Sequence, residues 1–358
     1  MELAQCSLSD ELEADQTLGS DAKHALFDIL SGLQAIHAKG YKHRDLKPQN
    51  VLKIQNQDGT SRYAISDFGL MTPAAGQTTT LTATNAGGGT PLYCAPECTT
   101  NLRRATHLAD IYSFGAILHD IFGGIRNRLP YDQLTVVGPL KDVVEKCTWR
   151  QPRRRFQSVE ALREALFEAL DGDVVAFASV EEEEIVALLS QGDRLDDAAW
   201  DRVFDCIDEN AHEERSNDRV FRALSIEHIT ALVKDSPELF DSLGRDYAEY
   251  AQGTFGFDYC DVIASRAQAF YAHGDVGLRA LIAVSILKLG TSHNRYYVER
   301  VFMQMASSGI SNELAERIVV ELGVQEVNFA LEFGYLEGSI GPSRAAIHPA
   351  LADLLQVQ

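Results

Sequence analysis

The stretch His43-Arg44-Asp45-Leu46-Lys47-Pro48-Gln49-Asn50 constrains this chain more than any other. Pro48 lacks an amide hydrogen and has a fixed φ, so no regular helix can run through it. Apolar residues bracket the stretch, Ile36 and Tyr41 before it and Val51, Leu52 and Ile54 after it. A polar loop is therefore expected between a helix and a strand, carrying an Asp, a Lys and an Asn at offsets of two and five residues. A loop pinned between rigid elements is a common way to hold catalytic side chains.

The flanks agree with that reading. Ser20 or Asp21 can cap a helix running to about Lys39, with Gly40 as its stop. Ala25, Leu26, Ile29, Leu30, Leu33, Ile36 and His37 recur at three- and four-residue spacing, so one face should be buried. After the loop, Val51 to Ile54 and Tyr63 to Ile65 flank a polar turn with Asp58-Gly59, which predicts a hairpin. Asp67-Phe68-Gly69 follows, seventeen residues beyond Asn50. Residues 70–88 carry no charge and hold Thr78, Thr79, Thr80, Thr82 and Thr84, the composition of a surface loop. Gly89-Thr90-Pro91-Leu92-Tyr93-Cys94-Ala95-Pro96-Glu97 closes that loop, and an apolar helix is expected from Asp110 to about Phe122. A further helix, capped by Ser158, should run to Leu170.

These motifs, in this order, resemble the C-terminal lobe of eukaryotic-type serine/threonine protein kinases. The loop matches H-R-D-L-x-x-x-N, Asp67-Phe68-Gly69 matches D-F-G, and the Gly89–Glu97 segment matches the G-T-x-x-Y-x-A-P-E end of an activation segment. The resemblance implies roles. Asp45 would orient the substrate hydroxyl and Lys47 would steady the transferring phosphate. Asn50 and Asp67 would hold Mg²⁺, Thr90 would sit near Asp45 and Lys47, and His43, Phe68 and Gly69 would support the site. Residues 1–19 look like the hinge between kinase lobes and a short helix after it, so the Glu2 and Ala4 backbone would face the adenine of ATP, with Leu52 beneath. Arg44 would answer to phosphate on the activation loop, for which Thr78, Thr79, Thr80, Thr82 and Thr84 are candidate sites. Asp110 would brace the catalytic loop, and Arg155 would pair with Glu97.

The same resemblance sets expectations about what is missing. No G-x-G-x-x-G loop or V-A-I-K lysine precedes the hinge-like start, so the chain is expected to be a kinase without its N-terminal lobe and to bind ATP poorly on its own. The alternative is a non-catalytic, kinase-derived scaffold acting through its second half. Only about fifteen residues, Gly123 to Val137, separate the helix ending near Phe122 from the next. The surface where kinases usually dock substrates is thus expected to be trimmed.

Beyond Asp171 the resemblance ends and a helical series is expected: 181–190, 196–211, 215–234, 236–250, 258–272, 274–290, 295–308, 311–322 and 345–357. The fold class is therefore mainly α, a kinase C-terminal lobe with short β-hairpins over 1–171 and an all-α domain of unassigned role over 172–358. The net charge of −20 lies mostly in that second part, with 14 Lys and Arg against 32 Asp and Glu after residue 171 and 18 against 20 before it. Such acidity argues against nucleic-acid binding and reads as a solvated surface. The kinase resemblance implies a protein substrate, and a partner or a second copy meeting the helical domain is left open. The longest apolar run, Ala280 to Leu289, is too short to span a bilayer. Six cysteines without a C-x-x-C pair suit reduced thiols and a cytoplasmic location. Cys94 and Cys98 flank Pro96-Glu97, a spacing that reads as coincidence rather than redox control. Phe255, Phe257, Tyr259, Tyr296 and Tyr297 read as packing aromatics.

Overall fold

The computed structural model describes residues 4–19, 21–56, 60–68, 91–101, 105–123, 128–170, 179–192, 194–209 and 217–356. The chain is mainly α-helical and divides into two compact units, Met1–Gly172 and Asp173–Gln358. Among the described residues no helix is long and apolar enough to cross a membrane.

The first unit opens with strand β1 (Ala4–Ser7) and helix α1 (Leu8–Ala14). Ser7 and Asp10 form a capping box there, which satisfies amides that the first helical turn leaves bare. Helix α2 (Asp21–Ala38) follows and stops before Gly40, whose φ of 76° suits a residue without a Cβ. Strands β2 (Val51–Gln55) and β3 (Ser61–Ile65) form the expected hairpin, with Val51 opposite Ile65 and Lys53 opposite Tyr63. Strand β1 adds to the other side of β2, so the three strands make one antiparallel sheet in the order β1-β2-β3. Lys53 ties this sheet to both helices, donating to Glu11 at 2.7 Å and to Asp21 at 2.9 Å. Burial works against its ammonium, but its hydrogen bonds to Glu11, Asp21 and Tyr63 outweigh that and hold its pKa well above the ordinary lysine value.

Helices α3 (Cys98–Asn101), α4 (Leu108–Phe122), α5 (Lys141–Cys147) and α6 (Val159–Leu170) complete the unit. Every residue of α4 from Leu108 to Ile121 is buried, as expected of a helix that is apolar all round. At Gly115 an added Cβ would lie 2.4 Å from the Cys147 Cβ, so only glycine lets α4 and α5 approach this closely. The connection between these helices is Gly123–Leu140, slightly longer than the sequence suggested. It contains no helix among its described residues.

Among its described residues the second unit is built of helices: α7 (Val180–Ser190), α8 (Asp197–Glu209), α9 (Asp218–Ala223), α10 (Ile226–Asp235), α11 (Pro237–Tyr250), α12 (Phe257–His273), α13 (Val276–His293), α14 (Tyr296–Met305), α15 (Asn312–Val324), α16 (Phe329–Ser339) and α17 (Pro349–Asp353). Helix α13 contains the apolar run and packs against α11, α12, α14, α15 and α16. Three expectations are corrected. The single helix over 215–234 is two, because Leu224 turns extended and Ser225 caps α10 through a box with His228. Helix α16 was missed, since Gly334 and Gly338 lower its propensity; packing of Phe329, Phe333 and Leu336 compensates. The expected 345–357 helix shrinks to α17, which begins at Pro349 because His348 supplies its cap. Of the singled-out aromatics, Tyr259 and Tyr297 are core residues and Phe257 is exposed.

Glu299 of α14 is nearly fully buried, with Ser339 Oγ donating to one carboxylate oxygen and no partner on the other. Burial pushes its pKa up to about 7, against the Ser339 bond and the charge of Arg300. A carboxyl raised in the folded state binds its proton more tightly there than in the unfolded chain. Its stabilising effect is therefore complete below the ordinary carboxyl range and is lost as pH rises towards 7. Glu299→Gln is expected to remove this fall and to stabilise the second unit at pH 8 by about 2–3 kcal/mol. Thermal melts of both proteins from pH 4 to pH 8 would measure it.

Candidate active site

The loop between α2 and β2 is fixed from below by one carboxylate. Asp110, in the first turn of α4, is fully buried. One of its oxygens accepts from the His43 amide at 2.9 Å and pairs with His37 Nε2 at 2.8 Å, and the other accepts from the Arg44 amide at 2.7 Å. The helix N-terminus adds a favourable dipole for that charge. His37 had been read only as part of the apolar face of α2; its place one turn beyond Leu33 and close to the polar loop was the available clue. Arg44 lies in the left-handed region with φ of 66°, a strained conformation for a residue with a side chain. Its guanidinium donates to the Ala105 carbonyl, and burial lowers its pKa against the pull of Asp110.

Above this brace the polar groups converge on Asp45. Lys47 Nζ donates to Asp45 Oδ2 at 2.8 Å, and Asn50 Nδ2 donates to the Asp45 carbonyl at 2.8 Å and to Oδ2 at 3.2 Å. The turn Pro48–Asn50 closes with the Asn50 amide on the Lys47 carbonyl. Leu46 is buried beneath, anchoring the loop to the core. Ser66 links the loop to the end of β3, since both its amide and its hydroxyl donate to the Asn50 carbonyl. Asp67 comes next, exposed and left-handed at φ 58°. Phe68 stacks edge-on against His43 with ring centroids 5.7 Å apart, and His43 Nε2 meets the Ser66 carbonyl at 2.9 Å. Asn50 directs its amide hydrogens at Asp45, so its amide oxygen faces the other way. That oxygen and the Asp67 carboxylate are hard donors of the kind Mg²⁺ takes, and the donor set fits such an ion.

The segment after the threonine-rich stretch is held by two arginines whose side chains are buried. Arg155 makes a two-pronged pair with Glu97 at 2.7 and 2.8 Å and also donates to the Leu108 and Trp149 carbonyls. Arg128 pairs with Asp120 of α4 and donates to the Leu92 carbonyl, while the Tyr93 hydroxyl donates to Asp120 at 2.6 Å. Sequence reasoning found the first pair and missed the second. An acidic residue near the end of an otherwise apolar helix was its signal.

Of the remaining predicted residues, Ala4 is exposed on β1 opposite Ile54, and Leu52 is half-buried on β2 opposite Ser7. Glu2, Gly69, Thr78, Thr79, Thr80, Thr82, Thr84 and Thr90 lie outside the described residues.

Comparison with known proteins bears on the same stretch. Residues 1–133 match the family model of the protein kinase domain. CBL-interacting serine/threonine-protein kinase 8 of Arabidopsis thaliana is 37% identical over 116 residues, 32% of this chain and 24% of that protein. Serine/threonine-protein kinase AfsK of Streptomyces coelicolor is 40% identical over 90 residues, 25% of this chain and 10% of that protein. Mitogen-activated protein kinase kinase kinase 20 of Arabidopsis thaliana is 31% identical over 163 residues, 40% of this chain and 46% of that protein. The chain thus spans less than half the length of each of these relatives. Residues 1–133, with the braced loop they carry, are similar to the protein kinase domain.

Proposed function

We propose that the first unit is the catalytic-loop half of a serine/threonine protein kinase, which transfers the γ-phosphate of ATP to protein hydroxyls. The observation that carries this reading is the convergence of Lys47 and Asn50 on the Asp45 carboxylate, on a loop braced by Asp110. Phosphoryl transfer needs positioning and charge neutralisation more than covalent chemistry. Asp45 would accept a hydrogen bond from the substrate hydroxyl and orient it for in-line attack. Lys47, resting on Asp45, would turn to the transferring phosphate. Asn50 and Asp67 would hold Mg²⁺, which when bound neutralises phosphate charge. Leu52 and the Glu2 and Ala4 backbone would border the adenine, and Thr90 would face Asp45. Phosphate on one of Thr78, Thr79, Thr80, Thr82 or Thr84 would bring a negative charge for Arg44 to meet. A cytoplasmic location and a protein partner for the helical unit belong to the same proposal.

Asp45→Asn tests it. The amide keeps the shape and the contact with Lys47 but cannot accept a proton or carry charge. Phosphate incorporation from ATP by the full-length protein is expected to fall by about 10²–10⁴-fold, with the urea midpoint little changed. Incorporation that survives the substitution overturns the mechanism.

A further inference from the structure

We propose that Cys94 and Cys98 form a thiol-oxidation site, closing to an intrachain disulfide under a hydroperoxide. The spacing that read as coincidence places two thiols together on one tight turn. The Cys98 amide bonds back to the Ala95 carbonyl at 3.0 Å, so the chain between them doubles on itself at Pro96. Cys98 is buried in a small cluster with Ala95, Ala105, Ala109 and Tyr112, and half-buried Cys94 packs against that cluster. Cys94 Sγ donates to the Ala95 carbonyl at 3.7 Å on the same turn, and the two thiols lie within interaction range of each other. Cys147, Cys206 and Cys260 are buried, and Cys6 is half-buried on β1.

The interaction between them makes the two thiols unequal. It draws the Cys94 pKa below the ordinary thiol value, against burial and the charges of Glu97 and Asp45. It pushes that of Cys98 far up, with burial acting the same way. Cys94, the more exposed and more acidic, is therefore the attacking group and Cys98 the resolving one. The Cys94 thiol gives up its proton and its thiolate attacks one oxygen of hydrogen peroxide; the O–O bond breaks, a sulfenic acid forms, and the departing hydroxide takes up that proton as water. The Cys98 sulfur then attacks the Cys94 sulfur. The S–S bond forms and the sulfenic oxygen leaves as water, taking the Cys98 proton. Two thiols and one peroxide give one disulfide and two waters.

The location gives the site a consequence. Cys94 lies within electrostatic reach of Asp45, and Cys98 within reach of Arg44 and Asp110. Between them stands Glu97, the partner of Arg155. A disulfide would fix the turn that carries Glu97 beside the braced loop. Any effect on phosphoryl transfer rests on the kinase reading above, but the bond itself does not.

Hydrogen peroxide titration of the full chain tests it, with unreduced tryptic peptides read by mass spectrometry. The peptide Tyr63–Arg103 contains Cys94 and Cys98 and no other cysteine. Most of it is expected to lose two hydrogens, to resist alkylation, and to regain both thiols with dithiothreitol. In Cys98→Ser the same dose should leave oxygen adducts on Cys94 instead. Wild-type peptide recovered with both thiols alkylated, at doses that oxidise Cys6, overturns the proposal. So does wild-type peptide bearing oxygen on Cys94 beside a free Cys98. Neither failure touches the Asp45→Asn result, so the two readings stand or fall separately.

Discussion

Asp110→Ala is expected to destabilise the first unit by about 3–5 kcal/mol, because the His43 and Arg44 amides are left buried without an acceptor. Each such amide costs about 1–3 kcal/mol, and His37 loses its partner as well. Asp110→Asn retains one acceptor oxygen but turns an NH₂ group towards the other donors, so about half the loss is expected. Urea denaturation measures this. Trp149 lies in the first unit and Trp200 in the second, so a Trp200→Phe background reports the first alone. A shift below about 1 kcal/mol for Asp110→Ala would mean that the loop holds its shape without the brace.

The second large effect belongs to the other unit. Asp261 of α12 and Arg295, just before α14, form a buried two-pronged pair at 2.8 Å on both arms. Neither side chain is exposed beyond 4%. Arg295→Leu should cost about 3–5 kcal/mol, since it removes the two-pronged cationic partner of a buried carboxylate. Replacing both, as Asp261→Leu with Arg295→Met, should recover most of that loss. Desolvating two charges nearly cancels their attraction, so the pair matters chiefly when one member is missing. Read through Trp200 in a Trp149→Phe background, the single variant should lower the urea midpoint and the double variant should restore it. Equal losses in both would point to packing rather than charge.

These two carboxylates differ in how visible they were beforehand. Asp110 stood out because Asp110-Ile111-Tyr112-Ser113-Phe114-Gly115 resembles the D-x-[WY]-S-x-G start of a kinase helix. Asp261 sits among Tyr259, Cys260, Val262 and Ile263, where nothing local distinguishes it from a solvated residue. The same contrast runs through the helices. Helix α2 was legible because its apolar residues repeat and Gly40 ends it. Helix α16 was not, because two glycines hide a face that only packing against α13 makes worthwhile. The break at Leu224 was also hidden, since both halves of 215–234 favour helix and only the two extended residues Leu224 and Ser225 divide them.

By itself, the sequence determined the order of the motifs, the loop that cannot be helical and the hairpin after it. Those follow from local chemistry, a missing amide hydrogen and alternating apolar residues, whereas the pairing of Arg155 with Glu97 was an expectation from the kinase resemblance. Only the tertiary structure decided that His37 shares Asp110 with the loop, that Arg128 and Asp120 hold Leu92 and Tyr93, and that Cys94 meets Cys98. The physical reason is common to all three. Each depends on side-chain direction across elements or around a turn, and sequence spacing does not specify direction until the core has packed.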